Sequence, residues 1–217
     1  MVFKKAAAIL ISISVLGSVF TACSSNDNKN TESSSDSEFE ETVKAESGNA
    51  YLAFADGEWY IQYWGNNTDM LTYDAGVAEI TGNGDYTVSL NGATKGMLYD
   101  VTGTLNGKYT PSGCSFMAVI VKDGSKLYPD MSIDIKSIRI NGEEIEQIAK
   151  NYTSSDDGIE MRANIYNEWI EEPPEDAHTS EGLVDGNSEY SARIIDRDKI
   201  GQWTKIEVEF TVSGIDE

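Results

Sequence analysis

The residues of this chain best suited to ligand chemistry are aromatics set beside amides. In Asp56-Gly57-Glu58-Trp59-Tyr60-Ile61-Gln62-Tyr63-Trp64-Gly65-Asn66-Asn67, two tryptophans and two tyrosines are followed by two asparagines. On an extended strand Trp59, Ile61 and Tyr63 face one way, and Tyr60, Gln62 and Trp64 face the other. If Trp59 and Tyr63 fill a core beside Ile61, then Tyr60 and Trp64 lie nearer water, with Gln62 and Asn66 alongside. A sugar has an apolar C–H face and a hydroxyl rim, so an uncovered ring bordered by amides suits it. The competing reading is that all four rings pack inside.

Two further places carry the same residue types. In Asn164-Ile165-Tyr166-Asn167-Glu168-Trp169, the inward parity of Ile159, Met161, Ala163 and Ile165 buries Trp169 and leaves Asn164 and Tyr166 outside with Arg162. Arg162 either pairs with an acid or holds a ligand hydroxyl. Trp203 has the parity of Lys205 and Glu207, opposite to Ile206, which puts it toward solvent or the edge of a sheet. The candidate stacking rings are therefore Tyr60, Trp64, Tyr166 and Trp203, with Gln62, Asn66 and Asn164 as hydrogen-bonding amides.

Other chemistries find less support. The chain holds 37 Asp+Glu, so two acids lie close by chance somewhere and no pair stands out as a hydrolase dyad. His178, the one histidine, falls in a polar stretch around Pro173 and Pro174 and reads as an exposed loop residue. Neither G-x-S-x-G, nor a P-loop, nor a dinucleotide fingerprint occurs. Thr153-Ser154-Ser155-Asp156-Asp157-Gly158 offers oxygen ligands of the kind Ca²⁺ prefers, without EF-hand spacing, and a solvated turn is the plainer reading. With 16 Lys+Arg and a net charge of −21, the chain lacks the cationic surface that binding to a phosphate backbone requires.

The elements that would position these residues are strands. Thr204 to Val212 alternates strictly, placing Ile206, Val208, Phe210 and Val212 on one face. Tyr86 to Leu90 alternates likewise, and Phe116 to Val121 is apolar on both faces, as in a central strand that Asp123-Gly124 closes with a hairpin-type turn. In Ile133 to Ile140 the alternation slips, which predicts a bulge near Lys136 and Ser137 before an Asn141-Gly142 type I′ turn. Further strands are expected at 51–55, 59–63, 77–81, 101–105, 159–165 and 190–195, with a short helix over Glu143 to Lys150.

The N-terminus reads as export machinery. Lys4 and Lys5, the apolar run Ala6 to Phe20 and small residues before Cys23 have the layout of a secretory signal over 1–22, too short to span a membrane. Phe20-Thr21-Ala22-Cys23 resembles a bacterial lipobox, which implies lipidation of Cys23, membrane attachment without a spanning helix and exposure outside the cytoplasm. Cys114 then has no partner in the chain and reads as a small packed hydrophobe. Residues 23–49 are rich in Ser, Asn, Asp and Glu, which predicts a flexible spacer ahead of an all-β sandwich over 50–217.

The segments Tyr51 to Gly65, Ile80-Thr81-Gly82-Asn83-Gly84-Asp85-Tyr86-Thr87-Val88, Pro129 to Gly142 and the closing strand resemble the jelly-roll carbohydrate-binding-module-like domains of bacterial surface lipoproteins. That resemblance implies an antiparallel β-sandwich, non-catalytic sugar binding through exposed aromatics and often a structural calcium. The alternative is a structural or protein-interaction module on the cell surface whose aromatics are all core. A glycoside hydrolase is a third and weaker reading.

Overall fold

Two antiparallel sheets face one another in the computed structural model, which describes residues 44–59, 62–65, 74–91, 113–156, 158–184 and 189–215. In chain order the strands are β1 (Asn49–Ala55), β2 (Gln62–Tyr63), β3 (Asp74–Gly76), β4 (Ala78–Glu79), β5 (Gly84–Asn91), β6 (Phe116–Val121), β7 (Ser132–Ile140), β8 (Glu143–Glu144), β9 (Thr153–Asp156), β10 (Glu160–Asn167), β11 (His178–Thr179), β12 (Gly182–Leu183) and β13 (Lys205–Ser213). The larger sheet runs β12-β11-β9-β10-β6-β1-β2, with β4 also on β1. The smaller runs β3-β5-β13-β7-β8. This is the all-β sandwich expected from the alternation. Among the described residues no helix is long and apolar enough to cross a membrane.

Where side-chain parity alone determines a strand, sequence and structure agree. Ile206, Val208, Phe210 and Val212 of β13 are buried, while the residues between them are half-buried. All six residues of β6 are buried, since both faces of this central strand are covered. Phe210 pairs with Ile135 and Glu209 with Ser137, which leaves Lys136 as the extra residue of a bulge and restores Ile133, Ile135, Ile138 and Ile140 to the core. Asn141 and Gly142 both have positive φ, 54° and 85°, as a type I′ turn requires.

Several expectations are corrected. Glu143 to Lys150 is not helical. The I′ turn sends the chain back along β7 as β8, and the donors that a helix would use go elsewhere: Ile145 N–H to Ile138 O of β7 and Ile148 N–H to Ile194 O, each at 2.8 Å. The described α-helix is instead a single turn, α1 (Gly124–Leu127), at the Asp123-Gly124 site where a hairpin was expected. Of the strand expected at 59–63, Gln62 and Tyr63 form β2, while residues 60 and 61 lie outside the described ones; the strand expected at 77–81 is reduced to β4, and 190–195 forms only isolated bridges. The expected strand at 101–105 lies outside the described residues. The folded body also begins earlier than the expected boundary at 50: Ala45 is buried, its N–H donates to Gly65 O and its carbonyl accepts from Lys122 Nζ, both at 2.9 Å.

The outer edge of β7 meets side chains in place of another strand. Ile133 N–H donates to Thr153 Oγ1 at 2.7 Å and Ile135 N–H to Asn151 Oδ1 at 3.0 Å. Asn151 Nδ2 returns a bond to Ile133 O at 2.7 Å, and Gln147 Nε2 reaches the carbonyls of Ile135 and Lys136 at 3.4 and 3.3 Å. Asn151 and Thr153 are themselves buried, so they stitch the two sheets together at this side of the sandwich.

Across β13 and β7, Glu209 accepts from Arg139 at 2.6 Å and from Ser137 Oγ at 3.0 Å. The Arg139 hydrogen bond, followed by that of Ser137, holds the Glu209 carboxyl below the usual range, about 4.3 for a free glutamate. An acid whose pKa is depressed by folding stabilises the fold above its unfolded pKa and loses that contribution as the pH falls through the folded value. Glu209→Gln is therefore expected to be less stable than wild type near neutral pH and to converge with it in acid. Urea unfolding of both proteins across that range checks this, and a gap that stays constant with pH contradicts it.

Candidate functional site

The larger sheet has two faces. On one, Phe54 meets Trp203 edge-on with ring centroids 5.0 Å apart in the core. Register places other residues on the opposite face: Gln62, Ala55 and Phe116 in one row, Ala53, Ala118 and Asn164 in the next, then Tyr51, Ile120, Arg162 and Ser154. All of these but Gln62 and Arg162 are buried, so most of this face is covered, and its end lies at the row of Gln62 and Phe116.

Four rings form a chain at that end. Trp64 lies 4.9 Å from Phe116, Phe116 lies 6.5 Å from Trp169 in stacked orientation, and Trp169 lies 5.2 Å from Trp59. The Arg162 guanidinium sits 5.4 Å over the Phe116 ring, and burial draws its pKa downward. Phe116 is 3 % exposed, Trp59 and Trp64 are half-buried, and Trp169 is 55 % exposed. One amide ties two of the rings together: Gln62 Nε2 donates to Trp59 O at 3.0 Å and Gln62 Oε1 accepts from Trp64 Nε1 at 3.3 Å. Trp59 has a φ of 61°, a left-handed conformation that a bulky residue adopts only where its surroundings impose it.

Trp169 is outward because β10 does not continue to it. The strand carries an irregularity between Asn164 and Tyr166 and stops at Asn167. There the Asn167 side chain takes over, with Oδ1 accepting from Trp169 N–H at 3.1 Å and Nδ2 donating to Asn164 Oδ1 at 3.2 Å. Parity counted from Met161 and Ala163 does not survive that turn, and the expected burial of Trp169 is overturned. An Asn placed just before an acidic and an aromatic residue was the available signal for the turn.

The expected site residues therefore divide. Gln62 and Trp64 belong to the ring chain. Asn164, 1 % exposed, and Tyr166, 8 % exposed, are buried supports and not outward-facing groups. Tyr166 is covered by Arg197, whose guanidinium lies 5.8 Å over the ring while Nη1 donates to the phenol oxygen at 3.4 Å. Trp203 is fully buried, because it precedes β13 in irregular chain where the strand's parity does not apply. Tyr60, Asn66 and Cys23 lie outside the described residues. Trp59 and Trp169 join the site unforeseen, Trp169 as its exposed ring, with Phe116 buried beneath as their support.

The remaining candidates pack. His178 is half-buried on β11, not in an exposed loop: its Nδ1 lies 2.8 Å from Asp176 O and its Nε2 2.8 Å from Met131 O, so the ring braces β11 against the start of β7. Thr153 to Asp156 form β9 and not a turn, with Ser155 N–H and Oγ donating to the Asp176 carboxylate at 2.7 and 2.6 Å. Among the described residues no three His, Cys, Asp or Glu side chains are placed to hold a metal ion. Cys114 is fully buried, and desolvation pushes its thiol pKa up, away from the reactive thiolate.

Comparison of the chain with protein-family models, with curated proteins and with solved structures gives no match.

Proposed function

We propose that this protein is a membrane-anchored extracytoplasmic lipoprotein, acylated at Cys23, whose β-sandwich binds carbohydrate without altering it. The observation that carries the reading is Trp169, an indole more than half exposed beside Trp59 and continued through Phe116 to Trp64. A sugar ring laid on Trp169 places its C–H face on the indole and its hydroxyl rim toward Gln62, whose amide already orients Trp59 and Trp64. Trp64 and Gln62 keep the roles expected of them, and Trp169 replaces Tyr166 and Trp203 as the stacking surface. The acid-rich composition, net −21 over the whole chain, favours neutral glycans over polyanions, and the body is attached to an anionic bilayer by lipid alone.

Affinity-gel electrophoresis of the full chain in xylan, glucomannan and mixed-linkage β-glucan tests this. At least one polysaccharide is expected to retard the wild type. Trp169→Ala is expected to weaken that binding about 30-fold, the scale of losing a central aromatic anchor, with an unchanged melting temperature. Wild-type mobility unaffected by every polysaccharide, or full retention of binding in a Trp59→Ala/Trp169→Ala double variant, overturns the proposal.

A further inference from the structure

Trp169 follows the end of a strand, where a side chain is ordinarily poorly held, yet the main chain on its N-terminal side is gripped from across the fold. Where β9 stops pairing with β10, residues 193–194 take its place: Arg193 bridges Tyr166, and Ile194 N–H donates to Ile165 O at 2.9 Å. From there the Arg193 guanidinium reaches past the end of β10. Its Nε donates to Asn167 O at 3.2 Å and its Nη2 to Glu168 O at 2.7 Å. These are the two carbonyls immediately before Trp169. Meanwhile Asn167 Oδ1 holds the Trp169 N–H, and Arg197 Nη1 holds the Glu168 carboxylate at 3.3 Å. The main chain entering Trp169 is therefore fixed by a carbonyl clamp, an amide cap and an ion pair.

We propose that Arg193 is a positioning residue for the Trp169 platform. It touches no ligand, and it fixes the approach of the chain so that the indole stands beside Trp59 before any sugar arrives. The planar fork of a guanidinium spans two successive carbonyls, which the single ammonium of lysine does not. Pre-organisation of this kind raises affinity by removing the entropy of ordering a large side chain on binding, on the scale of roughly 3- to 10-fold for one residue. The inference rests on the carbohydrate reading for its consequence and on geometry alone for the positioning.

The experiment separates the two. The full chain labelled with 5-fluorotryptophan gives four ¹⁹F resonances, one for each of its 4 tryptophans, and Trp169→Phe identifies the signal of residue 169. In Arg193→Met, and in Arg193→Lys should Met prevent folding, that signal is expected to move toward free fluorotryptophan and sharpen while the Trp203 signal stays put and unfolding remains cooperative at a lower midpoint. Retardation by the same three polysaccharides is expected to weaken roughly 3- to 10-fold. A Trp169 signal unchanged in both variants overturns the proposal. A changed signal with weakened binding supports it. A changed signal in a protein that no polysaccharide retards upholds the positioning role and removes the carbohydrate reading.

Discussion

Trp203→Ala is expected to lower the unfolding free energy by about 3–5 kcal/mol, the range for deleting a large aromatic from a packed interior. Trp203 is 0 % exposed and meets Phe54 of β1 edge-on at 5.0 Å, so it joins the larger sheet to the chain entering β13 of the smaller one. Little relaxation is available to close the void, because Phe54 belongs to a strand paired on both sides, by β2 and β6. Denaturant unfolding of the purified variant should show a lower midpoint with an unchanged slope. A loss below about 1 kcal/mol would mean that the indole is not seated between the sheets. The comparison with Trp169→Ala is informative, since one tryptophan is expected to carry stability without binding and the other binding without stability.

Asn151→Leu is expected to cost about 2–4 kcal/mol by a different route. The leucine keeps the branched shape, though it is bulkier, and deletes both hydrogen bonds that the amide makes to β7, leaving Ile135 N–H without its acceptor and Ile133 O with only Thr153 Oγ1. A buried main-chain group that loses its partner forfeits roughly 1–3 kcal/mol. Thr153→Val removes the neighbouring bonds to Ile133 N–H and O, so the two substitutions should be non-additive. Denaturant unfolding of the two single variants and the double variant measures that coupling. Losses that are small, or that sum exactly, would show that the edge is satisfied in some other way.

The sandwich was legible where one local rule governs a whole segment. Strict alternation gave β13, a double-faced apolar run gave β6, and a slipped period placed a bulge at Lys136 or Ser137, of which Lys136 is the extra residue, because burial on one side of a strand leaves few other ways to write the sequence. Asn141-Gly142 was legible because only a few residue types tolerate positive φ at both turn positions. The site was less legible, since its residues lie just past the ends of strands. Trp203 and Trp169 were each assigned a side by extending a neighbouring strand's parity, and each lies beyond the strand, where hydrogen bonds from distant residues choose the direction. Arg193 and Arg197, which set the chain around Trp169, are some 25 residues away in sequence, and no spacing links them to it. Asn151 was invisible for the same reason: a buried amide serving a strand from another sheet has no signature in its own neighbourhood.

The amide and hydroxyl groups along the outer edge of β7 carry a consequence for the protein at high concentration. Edge strands with open donors and acceptors are templates on which a second copy can zip itself and begin a fibre. Here the edge of β7 from Ile133 to Lys136 is already filled from within the same polypeptide by Asn151, Thr153 and Gln147. Neighbouring molecules crowded together thus meet a row of spent valences, and the body is free to be packed closely without polymerising along that side.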